Sequence, residues 1–355
     1  MSIYKRLHIK SDIRDYSVFF VNDFKDGWDK YYGKKLYLIV DYNVAKYYNN
    51  ELAPVFKKYP YMIVKASEEH KTLEYVKNII RRLIDNGVKK NHILIAVGGG
   101  IIQDLTGFVA SVLYRGVDWV FFPTTLLAQS DSCIGSKTSI NVDEYKNQVG
   151  NFYPPSNVFL NSNFLKTLKS SDIKSGLGEI IKVHLLSGEN SLKYMLKKYD
   201  KSLSDLEVMN NLIFRSLKIK KNIIEKDEFD TGYRNILNYG HTFGHALESL
   251  TGYNLPHGQA VTIGMDMSNY LSRKLGLISK NTYLMMRGIL LKNSFSYDLK
   301  HYDFRLFFES LSRDKKNTGN KITVILTKGP GRMIKKSLVM DAAVKNKILS
   351  FFKQQ

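Results

Sequence analysis

Through the first part of the chain, short apolar runs alternate with stretches whose apolar residues recur at helical spacing. The runs Leu36–Val40, Met62–Lys65, Ile93–Val97, Val120–Pro123 and Val158–Leu160 are short and apolar and read as strands. Between them, Leu73, Val76, Ile79, Ile80 and Leu83 fall at three- and four-residue steps, which predicts an amphipathic helix over Leu73–Leu83. Strands separated by helices predict a parallel sheet with helical crossovers. The pattern then changes. Ser175–Leu186, Leu206–Glu225, Thr242–Leu250 and Ala260–Leu275 read as longer helices, and only Ile322–Leu326 looks like a strand. We therefore expect an α/β domain over residues 1–165 and a mostly α-helical domain over residues 166–355, with no internal repeat and no low-complexity linker. A cleft between two such domains is a common ligand site.

The length of 355 residues is enough for two cores, and 44% hydrophobic with 24% charged residues is ordinary for a soluble globular protein. The lone cysteine, Cys133, cannot form an intramolecular disulfide, which fits a reducing compartment. The N-terminus has no apolar signal core and no apolar run reaches bilayer length, so the expectation is a cytoplasmic protein with no membrane partner. The formal charge of +20 raises the question of an anionic partner. Much of the excess sits in pairs such as Lys89-Lys90, Lys197-Lys198, Lys220-Lys221 and Lys335-Lys336, the signature of a solvated basic surface. Attraction of a phosphorylated substrate is the functional reading. Nucleic-acid binding finds no helix-turn-helix, zinc-finger or aromatic RNA-binding motif to support it.

Candidate chemistry concentrates in a few places. The strand ending at Val97 runs into Gly98-Gly99-Gly100, with a helix starting near Ile101. Glycines there let the backbone approach a phosphate, and the N–H groups of a helix start face the anion. The motif is not the usual G-x-G-x-x-G, and a plain strand-to-helix turn uses the same residues. Asp104, one turn on, suits a cofactor hydrogen bond or a solvated first-turn acid. His241 and His245 are one helical turn apart on one face, and His257 follows in Pro-His-Gly; histidines in this number, with a carboxylate, suit zinc. Spacing alone selects His241 and His245 as the ligand pair and does not supply the carboxylate. Glu179 and Lys182 lie three apart, near an expected helix start, and form either a surface ion pair or, given Leu177, Ile180 and Ile181 around them, a buried one. Asp131, Lys137 and Thr138 follow Thr124-Thr125 in a small-residue turn that reads as an anion cradle or as a hydrophilic loop.

Taken together and in order, the stretches GGGIIQDLTGFVAS, YRGV, PTTLLAQSDSCIGSKTSIN, KNQVGNFYPP, SGLGEIIK, KDEFDTGYRNILNYGHTFGHALES, LPHGQAVTIGM and DKKNTG resemble the 3-dehydroquinate synthase family. The resemblance implies a Rossmann-like NAD-binding first domain and a helical metal- and substrate-binding second domain. It implies zinc, or cobalt, on Glu179, His241 and His257, replacing the spacing-based choice of His245. It assigns NAD contacts to Asp41, Glu68, Lys71, the Gly98–Gly100 turn, Asp104, Thr124, Thr125, Asp131 and Lys146. Lys137, Asn238, His245 and Lys315 match partners of the substrate's phosphate and hydroxyls, and Lys220 and Arg234 match the pair near its carboxylate. Lys182 stands beside the zinc glutamate, and Arg115 matches an arginine that reaches the phosphate across a homodimer interface. The implied reaction takes a seven-carbon sugar acid phosphate. Oxidation by NAD acidifies a neighbouring C–H, phosphate is eliminated, the ketone is reduced back, and ring opening with aldol closure gives a carbocycle.

Several positions depart from the family pattern: Gln103, Cys133, Ser136, Gly178 and Gln259. None removes a charged catalytic position, and Ser136 adds a side chain beside Lys137. Retention of Lys220, Arg234, Asn238 and His245 favours 3-deoxy-D-arabino-heptulosonate 7-phosphate as substrate. A sibling cyclase acting on sedoheptulose 7-phosphate or glucose 6-phosphate is the alternative. A metal-dependent alcohol dehydrogenase would accumulate NADH, and a catalytically silent nucleic-acid-binding protein would release no phosphate.

Overall fold

The computed structural model describes residues 3–143, 145–294, 302–313 and 321–353. The chain divides into two compact units, Met1–Lys169 with Lys220–Phe229, and Ser170–Ile219 with Asp230–Gln355.

The first unit holds strands β1 (Ile3–Ile9), β2 (Tyr16–Val21), β3 (Leu36–Asp41), β4 (Tyr61–Val64), β5 (Ile93–Gly98), β6 (Asp118–Pro123), β7 (Lys137–Val142), β8 (Tyr145–Phe152) and β9 (Asn157–Leu160). Its helices are α1 (Lys25–Trp28), α2 (Tyr42–Tyr47), α3 (Asn49–Phe56), α4 (Leu73–Asp85) and α5 (Gly100–Val112). Seven strands form one sheet in the order β1-β2-β9-β6-β5-β3-β4, parallel except for the β1–β2 pair. The expected strands match β3, β4, β5, β6 and β9 to within a residue or two at their ends. β2 and β3 are buried along their whole length, as strands covered on both faces must be. Aromatic residues fill this core: Trp28 stacks on Phe122 and Phe122 on Phe159. Thr72 caps α4 by accepting the N–H of Tyr75.

The sequence reading omits four strands of this unit. β1 is an edge strand whose Lys5, Arg6 and His8 mask its alternation. β2 carries a clear apolar run, Val18–Val21, that the reading passes over. β7 and β8 form a separate antiparallel ribbon, too polar to read as strand. The small-residue turn before Lys137 is a π-helical turn over Ala128–Ser132, and Lys137 itself opens β7.

The second unit holds α6 (Ser170–Ser187), α7 (Glu189–Ser202), most of α8 (Leu206–Ile224), α9 (His241–Leu250), α10 (His257–Lys274), α11 (Lys280–Asn293), α12 (Phe304–Arg313) and α13 (Ala342–Phe352). Ile322–Leu326 lies in β10 (Lys321–Thr327), which pairs with a strand not expected, β11 (Met333–Val339), whose Lys335 and Lys336 hide it. The last turn of α8, from Lys220, belongs to the first unit.

Three helices of the second unit approach backbone to backbone. A Cβ placed on Gly258 would lie 1.8 Å from the Ser175 carbonyl oxygen, and one on Gly178 2.2 Å from that of Gly258. One on Gly264 would lie 2.0 Å from the Gly240 oxygen. Glycine alone permits α6 to touch α10, and α10 to touch α9, this closely. Gly178, a departure from the family pattern, is thus part of the α6–α10 contact. No helix among the described residues is long and apolar enough to cross a membrane.

Candidate functional site

The glycine contacts bring three ligand-type side chains together. His241 opens α9, His257 opens α10, and Glu179 sits midway along α6, one residue after Gly178. Because α6 starts at Ser170, Glu179 and Lys182 lie in the middle of a helix, not near its start as the sequence suggests. One donor atom from each of Glu179, His241 and His257 lies within 4.8 Å of the others. Glu179 Oε1 is 3.3 Å from His257 Nε2 and 3.6 Å from His241 Nε2.

Glu179 is 1% exposed, and neither of its oxygens accepts a hydrogen bond of ordinary geometry. Lys182, also buried, contacts Oε2, so the surface-pair reading fails. Burial works against ionisation of Glu179, but the Lys182 ammonium and His257 outweigh it and hold the carboxyl well below its usual range. Burial and the nearby Lys182 push His241 well below its usual value, which keeps its imidazole neutral. His257 goes the other way: burial lowers it, yet the adjacent Glu179 and Glu248 carboxylates raise it to about 10.

His245, the spacing-based ligand, is exposed and stands outside the Glu179 group, with its ring centre 5.4 Å from that of His241. It falls in a second cluster with Glu248 and His257. Glu248 Oε2 lies 3.4 Å from His257 Nδ1. The sequence reading missed Glu248; its signal is an acid three positions after His245 on the same helix. Arg234 is buried and Asn238 half-buried in the 3-10 turn Tyr233–Asn238 that leads into α9. Lys315 lies outside the described residues.

The first unit brings several of the other predicted residues to the carboxyl ends of adjacent parallel strands. Asp41 ends β3, Gly98 ends β5, and Thr124-Thr125 follow β6. The chain passes from β3 to β4 on one side and returns to β5 on the other, so this edge is a topological switch point, where such sheets take ligands. Gly99 caps α5 with no side chain, leaving the first N–H groups of the helix without a side-chain partner. A Cβ there would sit 2.9 Å from Thr125. Asp41 is committed locally: it caps α2 by accepting the Asn43 N–H at 2.6 Å.

Glu68, Lys71, Asp104 and Lys146 join one polar cluster. Lys71 Nζ reaches Asp104 at 2.6 Å and the Asn147 amide oxygen at 2.6 Å. Lys146 lies 3.8 Å from Glu68, which accepts from Asn141 at 2.9 Å. Asp104 also accepts the Ser139 N–H, and burial pushes it up against the pull of Lys71, so it is not a solvated acid. Asn141, Asn147 and Ser139 complete the cluster and were not singled out from sequence. Asp131 pairs with Lys220 at 2.8 Å. Lys137 is exposed at the start of β7, and Arg115 is exposed on a turn after α5. Ser136, buried and left-handed at φ 65°, donates to Glu228 at 2.9 Å. Gln103, another departure, bonds Ser132 twice at 2.6 Å.

One carboxylate and two imidazoles, with buried carboxylate oxygens left without hydrogen bonds, form a donor set that suits zinc or a similar divalent ion. The glycine turn on the uncapped start of α5 suits a pyrophosphate. Comparison with known proteins agrees in kind. Residues 61–175 match the model of the 3-dehydroquinate synthase N-terminal domain, and residues 176–317 that of the C-terminal domain. A 3-dehydroquinate synthase of Sulfurovum sp. (strain NBC37-1) is 38% identical over 320 residues, 89% of this chain and 91% of that protein. Among solved structures, 2-deoxy-scyllo-inosose synthase, complexed with carbaglucose-6-phosphate, NAD+ and Co2+, matches with a TM-score of 0.85 at 23% identity, over 99% of this chain and 100% of that one. So does 2-epi-5-epi-valiolone synthase from Streptomyces hygroscopicus subsp. jinggangensis, with NAD+ and Zn2+ bound, at a TM-score of 0.85 and 23% identity over 98% and 99% of the two chains. At that identity the likeness shows the fold alone.

Proposed function

The chain belongs to the 3-dehydroquinate synthase family and is a carbon–oxygen lyase of that type, and from this premise we propose that it converts 3-deoxy-D-arabino-heptulosonate 7-phosphate to 3-dehydroquinate with NAD and a divalent metal ion. The observation that carries the reading is the buried Glu179 with His241 and His257 at hand, a three-ligand set that leaves room for substrate in the coordination shell. When bound, the metal supplies Lewis acidity at substrate hydroxyls and NAD supplies reversible hydride transfer.

The chain's own residues do the rest. Glu179, His241 and His257 would hold zinc or cobalt, and the Gly98–Gly100 turn with Asp41, Glu68, Lys71, Asp104, Thr124, Thr125, Asp131 and Lys146 would hold NAD. Lys182, Asn238 and His245 would orient hydroxyls and phosphate, and Lys220 and Arg234 would receive the carboxylate. Lys137 and Lys315, with Arg115 from the second protomer of a homodimer, would neutralise the phosphate as its C–O bond breaks. In this reading the net positive charge draws the anionic substrate toward the site.

The test is a panel of 3-deoxy-D-arabino-heptulosonate 7-phosphate, sedoheptulose 7-phosphate and glucose 6-phosphate, each with NAD and zinc or cobalt, with products identified by mass and NMR. The expected result is 3-dehydroquinate and phosphate from the first alone, abolished by a chelator, with no net NADH. Turnover of a carboxylate-free sugar only would establish a sibling cyclase instead. Steady accumulation of NADH would mark a dehydrogenase.

A further inference from the structure

Helix α5 ends at Val112 and is followed by a tight turn, Leu113–Gly116. Two consecutive residues with side chains, Tyr114 and Arg115, are left-handed at φ 50° and φ 58°, and Gly116 follows at φ 104°. Side-chain-bearing residues avoid this region, and a pair of them in sequence persists only where the surroundings fix it. Lys90, in the loop between α4 and β5, does the fixing. Its ammonium donates to the carbonyl of Tyr114 at 3.1 Å, to that of Arg115 at 3.3 Å, and to that of Gly116. An ammonium has three N–H donors, and three successive carbonyls take all of them. Two tyrosines brace the turn from either side: the Tyr114 hydroxyl donates to the Val88 carbonyl at 3.0 Å, and that of Tyr153 to the Val117 carbonyl at 3.0 Å. The Arg115 guanidinium, in contrast, is exposed and makes no hydrogen bond or ion pair among the described residues. A braced, unfavourable backbone that ends on a cation with no partner among the described residues points to an anion from outside the chain.

We propose that Lys90 is a positioning residue, which locks the left-handed turn and so holds the Arg115 guanidinium ready for the substrate's phosphate. The inference rests on the role given to Arg115 above. As a bare surface lysine, Lys90 would only be one of the many that colour this chain basic. Its work here is done through the backbone, on three successive carbonyls of the turn that follows α5.

The experiment compares the full-length protein with Lys90→Ala, Lys90→Arg, Arg115→Ala and the Lys90→Ala/Arg115→Ala double variant. It reads KM for 3-deoxy-D-arabino-heptulosonate 7-phosphate, kcat and Tm. Arg115→Ala should raise KM at least about tenfold, as loss of a charged hydrogen bond does. Lys90→Ala should raise KM roughly three- to tenfold with kcat within about twofold, Lys90→Arg should restore it, and the double variant should be no worse than Arg115→Ala. A fall in kcat or Tm with KM unchanged in Lys90→Ala, or a KM effect that persists in the Arg115→Ala background, overturns the positioning role while leaving the Arg115 assignment standing. An unchanged KM in Arg115→Ala overturns that assignment and this inference together.

Discussion

Gly258 is where a single methyl group should do most damage. Replacing it with alanine puts a Cβ 1.8 Å from the Ser175 carbonyl oxygen and 2.6 Å from the carbonyl carbon, where ordinary contact begins at 3.4 Å. Both are backbone atoms of α6, so no side chain can rotate aside. The two helices must part by roughly 1.5 Å to restore contact distance. That movement also stretches the hydrogen bond from the Gly258 N–H to Ser175 Oγ, now 3.0 Å. Overpacking of this kind costs about 1–3 kcal/mol, and the backbone clash places Gly258→Ala at the upper end. For a folded unit of this size that is a fall in Tm of roughly 5–10 °C. The functional effect should be larger than the stability effect. His257 precedes Gly258 and Glu179 follows Gly178, so the shift acts directly on the 3.3 Å separation of their donor atoms. A ligand set displaced by an ångström loses metal affinity, expected here as at least about tenfold. The assay is thermal unfolding together with zinc competition against a chromogenic chelator. Wild-type Tm and wild-type zinc affinity in Gly258→Ala would refute the claim that backbone contact between α6 and α10 sets the site.

Zinc affinity should climb with pH: His257, raised to about 10, is protonated near neutrality and must give up its proton to a metal, so affinity should rise up to about tenfold per pH unit between pH 6 and 8.5. A flat chelator-competition profile over that range contradicts the assignment. Glu248→Gln should weaken the limiting affinity about 10–100-fold, because an orienting carboxylate is lost, and should move the steep part of the profile to lower pH, because one of the groups that raises His257 is gone. At Ser136, both Ala and Gly lose the hydrogen bond to Glu228, but only Gly relieves the left-handed backbone. Ser136→Ala should therefore be less stable than Ser136→Gly by about 1 kcal/mol in urea unfolding, and the reverse order would show the φ of 65° to be unimportant.

How much of this was legible in the sequence follows from where each residue's partners lie. Strands β3, β5, β6 and β9 are buried or nearly so and read as apolar runs. β8 and β11 lie in two-stranded ribbons whose residues mostly face water, so their sequences look like loops. The glycine turn at Gly98–Gly100 is local and was visible. The ligand group is not local. One-turn spacing finds His241 and then selects His245, whereas the neighbours of Glu179 are set by α9 and α10 closing on a third helix, which no spacing rule encodes. The resemblance supplied Glu179 and His257 because it carries that long-range packing implicitly. The exchange of Asp104 with Lys71, and the amides of Asn141 and Asn147 around them, also depend on β7 and β8, the very strands that the pattern concealed.

Residues 220–229 lie between stretches of the second unit yet fold with the first. Within them Lys220 pairs with Asp131, Glu225 accepts the Lys10 N–H, and Glu228 takes the Ser11 hydroxyl, the Asp12 N–H and the Ser136 hydroxyl. On the ribosome, then, the α/β half cannot finish when its last strand emerges; it must wait for about 50 further residues, already committed to the other half, before its final clasp arrives. A polypeptide stopped at Lys169 lacks Lys220, Glu225 and Glu228, and leaves Asp131, the Lys10–Asp12 stretch and Ser136 without the partners those residues supply.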